Sequence, residues 1–251
     1  MIELEHHGPV ALVRLAHGKV NALDVELLGA IVEVLDSIDR SPGRAVVLTG
    51  SGTVFCAGVD LRRVLSGTPA YLDRFIPALT EAFTTLFSFP LPVVAAVNGP
   101  AVAGGCVLAA ACDRRILSTG ARIGASELLV GVPFPVAALE ILRHACGDAV
   151  DEVVLSGRLY GAEEARALGL VHETVDGAAL LARAVATAEG LGALAPAAFR
   201  LAKAQLRRPT LDRIAVDGPA VDPEVRALWG AEPTTASIRA QLERIAAGRR
   251  P

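Results

Sequence analysis

Residues Val93 to Asp113, VVAAVNGPAVAGGCVLAAACD, constrain the fold more than any other stretch of the chain. A β-branched run (Val93, Val94, Val97) ends at Asn98-Gly99-Pro100, and Gly104-Gly105 opens a second apolar run that closes at Cys112-Asp113. That order predicts a buried strand, a turn, a glycine-rich entry and a buried helix. The N–H groups of a first helical turn have no partner within the helix and are free to face a ligand oxygen, and glycine lets the ligand come close. The same glycines would equally allow tight helix–strand packing, and from this stretch alone both readings stand.

A second stretch has the same character. Thr53 to Leu61, TVFCAGVDL, runs from a strand through Ala57-Gly58 into an expected helix start. Two such sites in one chain would let two backbone donors share one oxyanion.

The rest of the chain supplies a frame for them. Ile2 to His6 and Val10 to Ala16 read as a hairpin turning at Gly8-Pro9. Asp24 is the expected N-cap of an amphipathic helix through Ile38, and Arg44 to Thr49 is a strand stopped by Gly50-Ser51-Gly52. A helical pattern spans Pro69 to Phe89. Arg114 to Leu117 is a short strand, and the connection after Arg122-Ile123-Gly124 carries Ser126-Glu127. Helices are expected over 135–145, 149–156 and 161–168, with a last strand over 171–175. Beyond Ala178 only helices are expected: 178–190, 195–207 and one ending near 247, with a Pro- and Asp-punctuated stretch from Pro209 to Pro223. The shift from mixed to all-helical places the one domain boundary, giving 1–190 and 191–251.

Composition narrows the classes. With 52% hydrophobic residues and 20% charged in 251 residues, the chain has ample material for a large core. A net charge of −3 gives no electrostatic reason to expect nucleic acid or an anionic membrane as partner. Cys56, Cys106, Cys112 and Cys146 lie in apolar runs at spacings that match no zinc pattern, and the N-terminus has no export signal, so a cytoplasmic protein with reduced thiols is expected. No window holds the ~18 unbroken apolar residues of a membrane helix. No two of the five histidines have metal-ligand spacing.

In family order and spacing, Phe55 to Leu61 (FCAGVDL), Ala96 to Cys106 (AVNGPAVAGGC), Cys112 to Ile116 (CDRRI), Leu159 to Ala165 (LYGAEEA) and Leu168 to Val171 (LGLV) resemble the crotonase superfamily, the enoyl-CoA hydratase/isomerase family. The resemblance implies an α/β fold, a spiral of repeated ββα units forming an acyl-CoA-binding core, followed by a helical C-terminal trimerisation region. It implies homotrimers or dimers of trimers and an acyl-CoA substrate, with no cofactor beyond the coenzyme A that the substrate carries. It further implies that two backbone N–H groups, by position those of Ala57 and Gly104, stabilise a thioester enolate. Lys19 and Val20 fall where relatives hold the adenine end of CoA, and Gly58, Val59, Asp60, Leu61 and Ser126 complete the substrate-binding set.

Hydratases of the family carry one Glu directly after the Gly-Gly-Cys segment and a second one downstream. Here the first position is Val107, which cannot exchange a proton, and the second is Glu127. One carboxylate beside an oxyanion hole suits a double-bond shift, with a single base moving a proton from C2 to C4 of a 3-enoyl-CoA. The segment Ile123 to Pro135 is similar to the 3,2-trans-enoyl-CoA isomerases. Neighbours Leu128, Leu129 and Phe134 are expected to desolvate Glu127 and raise its pKa. Decarboxylation, thioester hydrolysis, weak hydration and acyl-CoA binding without turnover stay open. So do smaller roles: Glu127 as a helix N-terminal acid with Ser126 as cap, Asp60 as a helix cap or second acid, Lys19 as a phosphate ligand or solvated lysine, and Trp229 as a packing anchor.

Overall fold

A computed structural model describes residues 1–38, 40, 44–67 and 69–248; the end of the expected helical region, 249–251, lies outside them. The chain opens with the hairpin β1 (Ile2–His7) and β2 (Val10–Leu15), turning at Gly8 with φ +58°. Parallel strands then add in order: β3 (Ala45–Gly50), β4 (Val93–Val97), β6 (Arg114–Ser118) and β8 (Glu173–Val175). The sheet order is β1-β2-β3-β4-β6-β8.

Between successive strands the chain steps through a second, smaller layer. Leu23 bridges Val59 and Cys56 bridges Ala101. The short strand β5 (Ala101–Val102) pairs with β7 (Ile123–Gly124), and Ile123 bridges Tyr160. Each turn of chain thus contributes one long strand, one short extended segment and a helix, which is the expected spiral of ββα units. The helices are α1 (Val25–Ser37), α2 (Leu61–Ser66), α3 (Pro69–Ser88), α4 (Gly104–Ala111), α5 (Val136–Cys146), α6 (Val150–Leu155) and α7 (Ala162–Ala167). Asp24 caps α1 as expected, accepting from Leu27 N–H at 2.8 Å.

Side chains alternate across a strand, so the sheet splits its apolar residues between two cores. Ala11, Val13, Leu15, Val46 and Leu48 face the large core shared with α1, α3 and α4. Val10, Leu12, Val47 and Val94 face the other side, where Leu180, Ala184 and Ala188 of α8 (Leu180–Gly192) cover them. That helix runs across the expected boundary at 190 and packs on β3 and β4.

The C-terminal part departs from expectation at Pro209 to Pro223. There α9 (Pro196–Trp229) continues as one helix through Pro209, Pro219 and Pro223. Each proline removes a helical hydrogen bond, but tertiary contacts hold both ends. Its buried residues recur at three- and four-residue intervals (Lys203, Arg207, Thr210, Ile214, Gly218) and continue to Val225 and Trp229. Asp222 also accepts from Val136 N–H at 2.9 Å, closing the start of α5. A final helix, α10 (Glu232–Ala246), folds back against α2 and the segment after β7. Among the described residues no helix is long and apolar enough to cross a membrane.

A buried charge cluster anchors α9. Asp113 accepts from Arg207 at 2.6 Å, from Lys203 at 2.7 Å and from Val93 N–H at 2.8 Å. Burial pulls the Lys203 ammonium down to about 8, with Asp113 opposing the shift. Asp113→Ala would strand two buried cations, and removal of one partner of a buried pair typically costs about 3–5 kcal/mol. Chemical denaturation should show a loss of that order; a loss within experimental error would mean that the cluster does not hold the helix.

Candidate active site

The site forms where the loop before α1 meets the turn after β3. Asn21, buried and at φ +52°, donates its amide to the carbonyls of Val54 and Phe55, both at 3.1 Å, and accepts His17 N–H at 2.9 Å. The same loop makes three backbone bonds to the turn: Ala57 N–H to Val20 O at 3.0 Å, Leu23 N–H to Gly58 O at 2.8 Å and Asp60 N–H to Leu23 O at 2.9 Å. The turn is therefore held from below at almost every residue.

These bonds decide which N–H groups are free. Ala57 N–H, the donor expected from position, is occupied by Val20 O, so it does not offer its proton to a ligand. Among the described residues Val59 N–H has no acceptor, and Val59 lines the adjoining cavity. Gly58 sits at φ +84°, and a Cβ there would lie 2.7 Å from Val102 O, so the turn needs glycine on two counts.

The second donor comes from α4. Ala103 (φ +52°) throws the chain into the helix, and the N–H groups of Cys106 and Val107 both return to Ala103 O. Those of Gly104 and Gly105 have no such partner, as helix geometry requires. A Cβ on Gly105 would lie 2.2 Å from Cys56 O, whereas a Cβ on Gly58 would lie 3.5 Å from Gly104 N. The packing reading of the glycine pair is seen at Gly105, which lets α4 press against the turn, and the N–H of Gly104, unpaired among the described residues, lies beside Gly58 and Val59.

A cavity of about 360 Å³ adjoins these donors, lined here by Ala57, Val59, Val102 and Ala103. Glu127, first residue of a 3-10 turn (Glu127–Val130), lies in its wall with only 7% exposure. Its Oε2 has no hydrogen-bond partner. Burial pushes the carboxyl up to about 8, with its own backbone N–H pulling slightly the other way. Glu127 is the one carboxylate among the lining residues. Val107 is fully buried within α4 and supplies no second acid.

The remaining expected residues separate. Val59, Leu61, Ala57 and Ser126 line the cavity. Ser126 makes no side-chain cap bond. Asp60 caps α2, its Oδ1 accepting from Arg62 N–H at 3.0 Å and Arg63 N–H at 3.1 Å, and it is not among the residues lining the cavity. Lys19 and Val20 are exposed and outside the cavity wall, Val20 contributing its carbonyl to the turn. Of the apolar neighbours expected around Glu127, Leu129 lines the cavity and Phe134 is buried outside its lining. Leu128 is 40% exposed, and the wall is built from Leu129, Val130 and Val132, because a 3-10 turn rotates side chains differently from the helix implied by the acid-and-cap reading. Arg122, Arg158, Gln241 and Trp229 also line the cavity; nothing in their local sequence marks them, since they arrive from distant elements.

The family model described as Enoyl-CoA hydratase/isomerase matches residues 5–222. A putative enoyl-CoA hydratase of Thermus thermophilus is 38% identical over 208 residues, covering 81% of this chain and 82% of that protein. The human mitochondrial enoyl-CoA delta isomerase 1 is 28% identical over 250 residues, covering 98% of this chain and 83% of that protein. The crystal structure of human mitochondrial delta3-delta2-enoyl-CoA isomerase superimposes with a TM-score of 0.93 at 26% identity, covering 99% of both chains.

Proposed function

We propose, since the chain belongs to the enoyl-CoA hydratase/isomerase family of the crotonase superfamily, that it is an acyl-CoA isomerase moving a double bond from position 3 to position 2. The observation that carries this reading is the solitary carboxylate: Glu127 lines the cavity, its buried Oε2 has no hydrogen-bond partner, and no second acid lines it. Ionised Glu127 takes a proton from C2 of the 3-enoyl thioester. The C–H electron pair moves into the conjugated system and the thioester oxygen becomes a dienolate oxyanion, accepted by the N–H groups of Val59 and Gly104. The protonated carboxyl then returns its proton to C4, leaving the double bond between C2 and C3. Proton and electrons balance without water.

The raised pKa suits this cycle, because one group must act as base and then as acid near neutral pH. It also fixes the sign of the pH dependence. Only the ionised form removes the C2 proton, so kcat/KM on 3-hexenoyl-CoA should rise with pH and level off above about 8. A profile already flat from about pH 6 would mean that Glu127 is not the titrating base.

Hydration is the second reading, favoured by the 38% identity to a protein named as a putative hydratase. Mass spectrometry of incubations with 3-hexenoyl-CoA and with 2-hexenoyl-CoA separates the two. Isomerisation leaves the mass unchanged, hydration adds one water, and a dominant water-added product from 2-hexenoyl-CoA would overturn the isomerase assignment.

A further inference from the structure

The proton shuttle and its donors do not explain where the cavity stops. Its lining mixes two chemistries: Arg122, Arg158, Ser156 and Gln241 are polar, whereas Leu61, Val130, Val132 and Trp229 are among its apolar residues. Trp229 is the largest side chain in that wall and is only 1% exposed. Its indole N–H donates to Pro133 O at 2.8 Å. Its ring leans on Phe75 with centroids 5.8 Å apart and planes 52° apart, and Phe75 in turn stacks on Tyr71 at 5.5 Å. An indole held at its N–H and packed against a second ring gives up those contacts if it leaves this rotamer.

We infer that Trp229 is the stop that sets the longest acyl chain the cavity takes. The inference rests on the acyl-thioester reading above and assigns Trp229 to specificity, not to proton transfer. An acyl tail leaving the oxyanion donors gains by burying methylenes against apolar wall, and each one buried is worth roughly a factor of 4 in affinity. That gain ends where the tail meets a side chain held in place by its own contacts.

Calorimetric binding of saturated acyl-CoAs from hexanoyl to tetradecanoyl, to the full chain, tests this directly. Wild-type affinity should climb with each added carbon and then break. Trp229→Ala should carry the climb at least two carbons further, giving roughly 15-fold tighter binding than wild type at that length, with Trp229→Phe intermediate. Circular dichroism checks folding, and if Trp229→Ala does not fold, the break for Trp229→Phe decides. A folded variant whose break matches wild type would overturn the inference. Saturated chains are not isomerised, so the outcome does not depend on the reaction. A shifted break with no turnover of 3-hexenoyl-CoA would sink the isomerase reading and leave Trp229 in its role, whereas no binding of any acyl-CoA would overturn both.

Discussion

Glu127→Gln is expected to lower kcat on 3-hexenoyl-CoA by about 10²–10⁴-fold, the usual worth of a positioned acid–base group. Glutamine keeps the shape and removes the proton acceptor. Because Glu127 lies buried with its pKa raised to about 8, the neutral amide resembles the form the protein holds at neutral pH. The variant should therefore fold normally and bind acyl-CoA within a few-fold of wild type. The same linkage has a defined sign. Below about 8 the folded state keeps a proton that the unfolded chain gives up at ordinary carboxyl pKa, so wild-type stability falls as pH rises through that window, and the glutamine variant lacks that slope. Steady-state kinetics with a parallel binding titration checks the assignment; wild-type kcat in the variant would remove Glu127 from the mechanism.

Gly105→Ala is the second large effect. The new Cβ would lie 2.2 Å from Cys56 O and 2.9 Å from Cys56 C, and backbone atoms cannot swing aside as a side-chain tip can. Either the start of α4 or the 56–59 turn must move, and either motion separates Val59 N–H from Gly104 N–H. Loss of one oxyanion donor typically costs about 10²–10³ in rate, so a drop of that order in kcat is expected, together with a lowered melting temperature. Gly104→Ala is the comparison. Its Cβ would first meet Leu23 Cδ1 at 2.8 Å, the end of a flexible side chain, and its effect should be smaller. Wild-type kcat in Gly105→Ala would show that the paired donors do not depend on this contact.

Much of this was legible in sequence because it is local. The β-branched run before Asn98-Gly99-Pro100 and the glycines after it encode strand, turn and helix start within a few residues, and Asp24 and Asp60 cap helices where N-cap chemistry places them. The donor N–H was not legible to the residue. Ala57 and Val59 both belong to the turn, and what separates them is that Val20 O, from a distant loop, takes the Ala57 proton. The helix through Pro209, Pro219 and Pro223 was hidden for a similar reason. Local propensity argues against it, and the contacts that override propensity, from Asp113 to Arg207 and from Pro133 to Trp229, lie about a hundred residues apart in sequence. Trp229 went with that helix, so its place in the cavity wall could not be read before the chain was folded.

The central claim is that one carboxylate carries the proton between two carbons of the same substrate. It is tested most directly by proton NMR of the product from 3-hexenoyl-CoA deuterated at C2. Conjugated 2-hexenoyl-CoA carrying deuterium at C4, delivered by Glu127, is the expected product. A 3-hydroxyacyl product, or the same C4 deuterium content from Glu127→Gln as from wild type, would contradict the claim.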